Sequence, residues 1–249
     1  MRLREIRADL HLHTSLSPCS DTWSMTPARI VQRSKEVGLE LIAVCDHNSA
    51  GNVEAVQKAG RRWGLVVLPG MEITSAEEVH TLGIFRDLRC ALEVQESVEE
   101  NLPEENIPEV FGYQVLMDEE DRILGSEDRL LAGATRLTLD EVVEVIHGEG
   151  GVAIASHVDR EYFGLLGQLG MIPEGLPLDG VEISWRTTLS DARSRFPHLG
   201  HWTMVRGSDA HTLEEVGRAW TRLLVAEASF EELRLALMGA KGRRVLEGE

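Results

Sequence analysis

The stretch LELIAVCDHNSAGNVEAVQKAGRRWGLVVLPGMEIT, residues 39–74, holds two strands and the helix that joins them. LELIAVCDH is a continuous apolar run and reads as a strand buried on both faces. NVEAVQKAGRRWG reads as a helix ending near Gly64, and LVVLPGMEIT as the next strand. Both strands finish in polar residues, Asp46-His47 in the first and Glu72 in the second. A strand–helix–strand unit of this kind argues for a parallel sheet, open or closed into a barrel.

The pattern extends in both directions. RADLHL (7–12) is a strand, and MTPARIVQRSKEVG (25–38) is a helix with Thr26 as N-cap, Pro27 at the first helical position and Gly38 at its end. EVHTLGIF (78–85) is a short strand. GGVAIASHV (150–158), DGVEISW (179–185) and HWTMVRGSDAH (201–211) are strands that end in polar residues. Thr138 with Glu141, and Ser229 with Glu232, have capping-box spacing at the heads of two further helices. Residues 86–135 break the rhythm: the segment is acid-rich, carries Pro103 and Pro108 and shows no strand–helix repeat. Its scattered apolar residues (Val98, Leu102, Ile107, Phe111, Tyr113) favour an ordered insertion over a disordered linker. Coming soon after His80, it is expected to start at the mouth of a site there and fold over it as a lid.

Composition narrows the function classes. A chain of 249 residues with 43% hydrophobic and 27% charged residues reads as one globular domain spanning 1–249. No apolar run approaches the ~18 residues of a membrane span, and MRLREIRADLHLH lacks a signal-peptide core. Three cysteines without a CxxC pair disfavour a disulfide framework and point to a reducing cytoplasm. A formal net charge of -17 disfavours a duplex nucleic acid as partner, because such binding rests on Lys and Arg. Acids that hold cations would not present that charge to a small substrate.

ADLHLHTSLSPCSD (8–21) places His11 and His13 two apart on a strand, hence on one face. Of nine histidines, six fall at strand ends or edges beside acids: His11, His13, His47, His80, His157 and His211. Strand ends of α/β folds converge on one face, so ligands distant in sequence would meet there. Imidazoles mixed with carboxylates select zinc, manganese or iron over magnesium or calcium, and two or three such divalent ions are expected. Glu72 and Asp209 are the natural bridges, since a carboxylate has two oxygens. Ions held ~4 Å apart lower the pKa of a shared water, leaving hydroxide as nucleophile at neutral pH. Asp46 and Glu182 read as acceptors behind the ligands, Asp46 orienting His47. Arg160 and Arg186 read either as phosphate clamps or as surface ion pairs. His147, His198 and His201 read as ordinary surface histidines.

DLHLHT, CDHN, PGMEIT, SH and GSDAH, in that order, resemble the successive motifs of the PHP (polymerase and histidinol phosphatase) family. The resemblance runs from residue 8 to about residue 217, and SPC, DHN and EEVHTLGIF resemble a subgroup of small stand-alone members. It implies a distorted (β/α)7 TIM-like barrel and metal-dependent phosphoester hydrolysis. It also implies that His11, His13, Glu72 and Asp209 hold one metal, that Glu72 shares a second with His80 and His157, and that His47 and His211 hold a third. The chain departs from the family pattern in the loop after His13, where Pro18 stands in place of an acid and Cys19 in place of a histidine. The third site's remaining ligand is then Asp21 or Cys19. Asp21 is favoured as the harder ligand, and Cys19 read otherwise is a buried loop anchor.

The function expected is hydrolysis of a small phosphorylated substrate, a nucleotide or metabolite phosphate. The alternatives are a PHP-type exonuclease or oligonucleotide phosphodiesterase, and a non-catalytic metal-binding regulatory module. The presence of all eight motif ligands (His11, His13, His47, Glu72, His80, His157, Asp209 and His211) counts against the last.

Overall fold

In the computed structural model, which describes residues 2–246, β1 (Arg4–Leu12), β2 (Leu41–Val44) and β3 (Val66–Thr74) lie side by side and parallel. The helices α1 (Pro27–Glu36) and α2 (Val53–Trp63) connect them. Pro27 opens α1 as expected, but the Thr26 side chain makes no capping bond. Gly64 ends α2 in the left-handed region at φ +62°, which a residue without Cβ adopts at no steric cost.

The next strand runs the other way. β4 (His80–Ile84) pairs antiparallel with β3, Thr74 opposite His80 and Gly70 opposite Ile84. This corrects the expectation of an uninterrupted parallel repeat. The turn between the two strands is closed by Ser75 N donating to Val79 O at 3.0 Å, with Glu78 at φ +59°. So short a link makes a hairpin, whereas a parallel crossover needs a dozen residues or more. Because β4 is reversed, its first residue lies at the end where β1, β2 and β3 finish. His80 therefore joins His13, His47 and Glu72 by starting a strand.

After β4 come α3 (Leu88–Glu100), α4 (Pro108–Phe111), the hairpin of β5 (Val115–Met117) and β6 (Ile123–Ser126), and α5 (Leu139–Gly148), which begins with the expected Thr138–Glu141 capping box. β7 (Val152–Ala155) then pairs antiparallel with β4. Past α6 (Leu165–Leu169), β8 (Gly180–Ile183) pairs parallel with β7. Past α7 (Leu189–Arg195), β9 (Met204–Arg206) pairs parallel with β8.

Beyond β9 the chain returns to β1. Asp209 N donates to His11 O at 2.8 Å, and His13 N to Ala210 O at 3.1 Å. Among the described residues, seven strands (β1 to β4 and β7 to β9) thus form a nearly closed, distorted TIM-like barrel. Closure occurs only at this end. Toward its start β1 pairs instead with the antiparallel β10 (Thr221–Val225), which carries β11 (Arg244–Leu246).

Alternation along the strands sorts the core into two. Leu41, Ala43 and Cys45 pack with Ile6, Ala8, Leu10, Leu82 and Ile154 in the lumen, together with α8 (Phe230–Leu237). Ile42 and Val44 face outward onto the helical layer. On β1 the alternation slips once: Leu10 belongs to the lumen and Leu12 to the outer layer. The pairing with β2 explains this, since Asp9 faces Ile42 but Leu12 faces Val44, one residue too many on β1. A bulge re-aims the side chains that follow it, and here those are His11 and His13.

The insertion is smaller than the sequence suggests. Residues 86–100 belong to the helical layer. Asp87 caps α3 by accepting from Cys90 N at 3.2 Å, and Cys90, Ala91, Val94 and Val98 are buried against the barrel. Since β4 carries the chain away from the site end, α3 is the return leg, and the excursion proper is 101–135. Its ends meet where Arg136 N donates to Asn101 O at 3.0 Å.

Candidate metal centre

Glu72 lies at the centre of a buried cluster. Its Oε1 is 3.3 Å from His11 Nε2, 3.0 Å from His80 Nδ1 and 3.2 Å from His157 Nε2. Its Oε2 is 3.1 Å from His47 Nδ1 and 3.5 Å from His13 Nε2. Asp209 Oδ1 sits 3.5 Å from His11 Nε2 and 3.4 Å from His13 Nε2. Three groups have ligand atoms within 4.8 Å of one another: His11–His13–Glu72, His47–Glu72–His80 and His13–His47–His211.

The polar atoms of the cluster fit cations better than they fit each other. Both Glu72 oxygens and Nδ1 of His47, His80 and His157 are buried without a hydrogen bond of acceptable geometry. A buried carboxylate without hydrogen bonds is costly, and bound divalent ions would satisfy it and the imidazoles together.

Electrostatics follow the same geometry. Burial alone would raise the Glu72 carboxyl, but His80 and His11 hold it well below the usual range. Burial opposes protonation of His11, yet Glu182, Glu72 and Asp209 keep its pKa well above the ordinary value. Burial, with His211 and His47 close by, holds His13 well below it. Burial takes His80 down to about 4.

The ligand rings are fixed from behind. His11 Nδ1 bonds Glu182 Oε2 at 2.9 Å, and the same oxygen accepts from His157 N at 3.0 Å. His13 Nδ1 bonds Ser17 Oγ at 2.9 Å, and His211 Nδ1 bonds the Asp209 carbonyl at 2.9 Å. With Nδ1–H engaged by these acceptors, Nε2 of each ring keeps its lone pair for a metal. His157 at φ +25° and Asp209 at φ +49° occupy backbone regions that side chains rarely adopt, a strain often found where a site dictates geometry. Gly207 is required by space, because a Cβ there would lie 2.5 Å from Glu182 Oε1 and 2.7 Å from His11 Cβ.

Other sequence-derived positions need correction. Asp46 does not touch the His47 ring. It accepts from Thr14 N, Thr14 Oγ1 and Ser17 Oγ, each at 2.7 Å, and Ser17 Oγ in turn accepts from His47 N at 3.1 Å and holds His13. Asp46 therefore orients His13 through Ser17. Asp21 is not brought into the cluster: its exposed carboxylate accepts from Trp23 N at 3.2 Å and Ser24 Oγ at 2.6 Å, as a turn cap does. Cys19 is solvent-accessible, so it is no buried anchor. Although enclosure of the thiol acts the other way, His47 and His211 bring it down to about 6. Arg160 Nη1 bonds Asp209 Oδ2 at 2.6 Å at the rim. Arg186 stacks on Trp185, its guanidinium 5.2 Å from the ring centroid.

Three supports were not foreseen. Asp9, within β1, is buried and accepts from Ser208 N at 2.9 Å, and burial raises its carboxyl to about 6. Arg218 donates to the carbonyls of Ser208 at 2.8 Å and Asp209 at 3.1 Å, so it braces the ligand loop. The Phe163 ring stacks on His80, 4.5 Å between centroids. Asp9 had a signal in the sequence, an acid inside a strand pattern, whereas Phe163 had none.

Residues 201–239 match the PHP-associated family, a region that includes the Asp209–His211 loop. The 5'-3' exoribonuclease of Haemophilus influenzae is 23% identical over 189 residues, 60% of this chain and 68% of the relative. Over residues 201–239 the chain is thus similar to PHP-family proteins. Its barrel superposes on the lesion-specific endonuclease Q of Pyrococcus furiosus with a TM-score of 0.73 and 20% identity, over 97% of this chain and 58% of the other. An endonuclease Q structure with a 27-mer duplex, an abasic lesion at its active site, gives a TM-score of 0.74 at 20% identity over the same shares. A protein from Bifidobacterium adolescentis described as a metal-dependent phosphoesterase gives 0.57 at 20% identity, over 94% and 96% of the two chains. The chain thus spans little more than half of endonuclease Q and nearly all of the smaller phosphoesterase. Among the described residues, no helix is long and apolar enough to cross a membrane.

Proposed function

We propose that this chain is a PHP-type metal-dependent phosphoesterase that hydrolyses a small phosphorylated substrate, a nucleotide or metabolite phosphate, in the cytoplasm. The observation that carries the reading is Glu72, buried among five imidazoles with both oxygens lacking hydrogen bonds. Two or three zinc, manganese or iron ions fit the donor set. His11, His13 and Asp209 would hold one, His80 and His157 a second and His47 with His211 a third, Glu72 being shared. Such ions lower the pKa of water and polarise a phosphoryl group.

The chain's own residues supply the rest. Glu182 and Ser17 lock the His11 and His13 rings, so the donors are positioned before substrate arrives. Arg160, 40% exposed beside Asp209, offers a guanidinium at the opening for a phosphate oxygen. Residues 101–135 wall one side of the mouth. Val115 N donates to Ser15 O at 2.9 Å, Thr135 N to Thr74 O at 2.9 Å, and Asn48 Nδ2 to Leu131 O at 2.7 Å. A wall on the loops after β1 and β2 favours small substrates.

Oligonucleotide hydrolysis is the second reading, supported by the exoribonuclease and endonuclease activities of the similar proteins. One experiment separates them. The protein, purified without chelator and supplied with Mn or Zn, is assayed against phosphorylated metabolites, dinucleotides, and single- and double-stranded oligonucleotides. The first reading expects the highest kcat/KM on a mononucleotide or metabolite phosphate. A preference for duplex or long single strands would overturn it, and activity undiminished by complete metal removal would overturn both.

A further inference from the structure

Between β9 and β10 a side chain stands where a ladder would close the sheet. β9 pairs with β8 on one side. On the other, the Thr221 hydroxyl of β10 accepts from Arg206 N at 2.8 Å and donates to Arg206 O at 2.7 Å. Beside this link α7, β9, β10 and β11 border a cavity of about 530 Å³, a size that suits a small ligand. None of the cluster's ligands lines it.

The charge of the cavity is opposite to that of the chain. The protein carries 42 acids against 25 lysines and arginines, yet the described lining has four arginines, Arg193, Arg206, Arg218 and Arg222, and no Asp or Glu. Met204, Trp220 and Val245 supply apolar walls. Arg222 is paired with Glu5 at 2.7 Å. Arg206 differs: among the described residues its half-buried side chain pairs with no carboxylate. Its Nη2 donates to Trp185 O at 3.0 Å, and its Nε is buried without a hydrogen-bond partner. A half-buried guanidinium with donors unmet favours an anion beside it.

Arg218 connects the cavity to the metal centre. Its Nε donates to Ser208 O, its Nη2 to Asp209 O and its Nη1 to Glu215, which leaves one N–H on each terminal nitrogen. The same guanidinium lies over the Trp185 ring, 4.1 Å from the centroid.

We infer that the cavity is a second binding site, for a small organic anion with a carboxylate or phosphoryl head and an apolar body, and that its occupancy tightens the metal centre through Arg218. The head lies against Arg206 and Arg218, and the body against Met204 and Trp220. An anion that takes the remaining N–H groups of Arg218 displaces neither carbonyl, so it fixes the brace on the Ser208–Asp209 loop. This link, though not the site itself, rests on the metal-dependent reading above.

The test uses the full chain with its metals, titrated in a calorimeter with benzoate and phenylphosphonate, which share a body and differ in the head. Benzyl alcohol lacks the charge and inorganic phosphate lacks the body, and both are expected to bind more weakly. Arg206→Gln is expected to weaken the tighter anion about 10-fold or more. Arg206→Lys, which keeps the charge and loses the planar fork, should fall between. Competition with a chelator reads metal affinity, which saturating benzoate is expected to raise about 5-fold or more in the wild type and not in Arg206→Gln. Three results would each overturn the inference while leaving the phosphoesterase reading standing: anions that bind no better than benzyl alcohol, binding indifferent to Arg206→Gln, and metal affinity unmoved or lowered by benzoate. A chain that binds no transition ion would overturn that reading and the link together, and the calorimetry would still decide the site.

Discussion

Glu72 contacts five imidazoles through two oxygens, so replacing one oxygen should disturb more than one ion. Glu72→Gln is expected to lower kcat/KM on the order of 100-fold or more and to reduce the metal content of the purified protein. Steady-state kinetics beside elemental analysis would show it, and a near-normal rate would place the bridge elsewhere. Glu182→Gln should act more gently, because Glu182 fixes His11 Nδ1 and His157 N without facing the ions. A loss of about 10- to 100-fold in metal affinity is expected, read by competition with a chromogenic chelator. Asp21→Asn should leave kcat within a few-fold of wild type, since its carboxylate bonds only its own turn. The two acids differ in what a sequence reveals of them. Glu182 falls at the end of an apolar run, where strand geometry fixes its direction. Asp21 and Cys19 fall in a loop, where spacing does not say which one turns inward. Asp46 shows the same limit, since its adjacency to His47 conceals a bond that runs through Ser17 to His13.

At the scale of elements, the apolar runs marked most strands, but not the direction in which each is traversed. The period-two pattern of EVHTLGIF is the same read up or down, so the hairpin of β3 and β4 was invisible. The burial pattern of α3 was masked by its many glutamates, whose place on the outer face only the structure separates from Ala91, Val94 and Val98. The hydrogen bond between Asn101 and Arg136 now marks where the insertion can be removed cleanly. Replacing residues 103–134 with a short Gly/Ser linker should keep α3, and a wall at the mouth predicts lower activity on the small substrate with a gain on bulky aryl phosphates. An unchanged substrate ranking in a folded, metal-replete variant would show that the segment does not select. A milder probe is Asn52→Ala. Asn52 bonds Val115 O at 3.0 Å and Met117 N at 2.9 Å, and its loss leaves buried partners unpaired at about 1–3 kcal/mol each. Thermal melting would register this as a drop of several degrees, roughly 2–4 °C per kcal/mol for a chain of this size.

For the whole molecule, the ligands come from β1, β3 and β4 and from the residues just after β1, β2, β7 and β9, so bound ions would tie nearly the full circumference together. Complete metal removal should therefore lower the midpoint of unfolding as well as activity. Saturation at 100-fold above Kd contributes about 2.7 kcal/mol, on the order of 5–10 °C here. Differential scanning calorimetry with and without a chelator would measure it.

The barrel also has a seam. Among the described residues, the backbone bonds that join its first strand to the segment after its last are Asp209 N to His11 O and His13 N to Ala210 O, beside the ligands themselves. Those two amide protons thus report on opening of the barrel wall itself. In deuterated water, without ions, they should exchange early, ahead of their neighbours on β2 and β3, whose amides lie inside continuous ladders. With ions bound they should become some of the slowest. The strand junction that makes this barrel incomplete would then act as a latch, closed by the ions that its own residues hold.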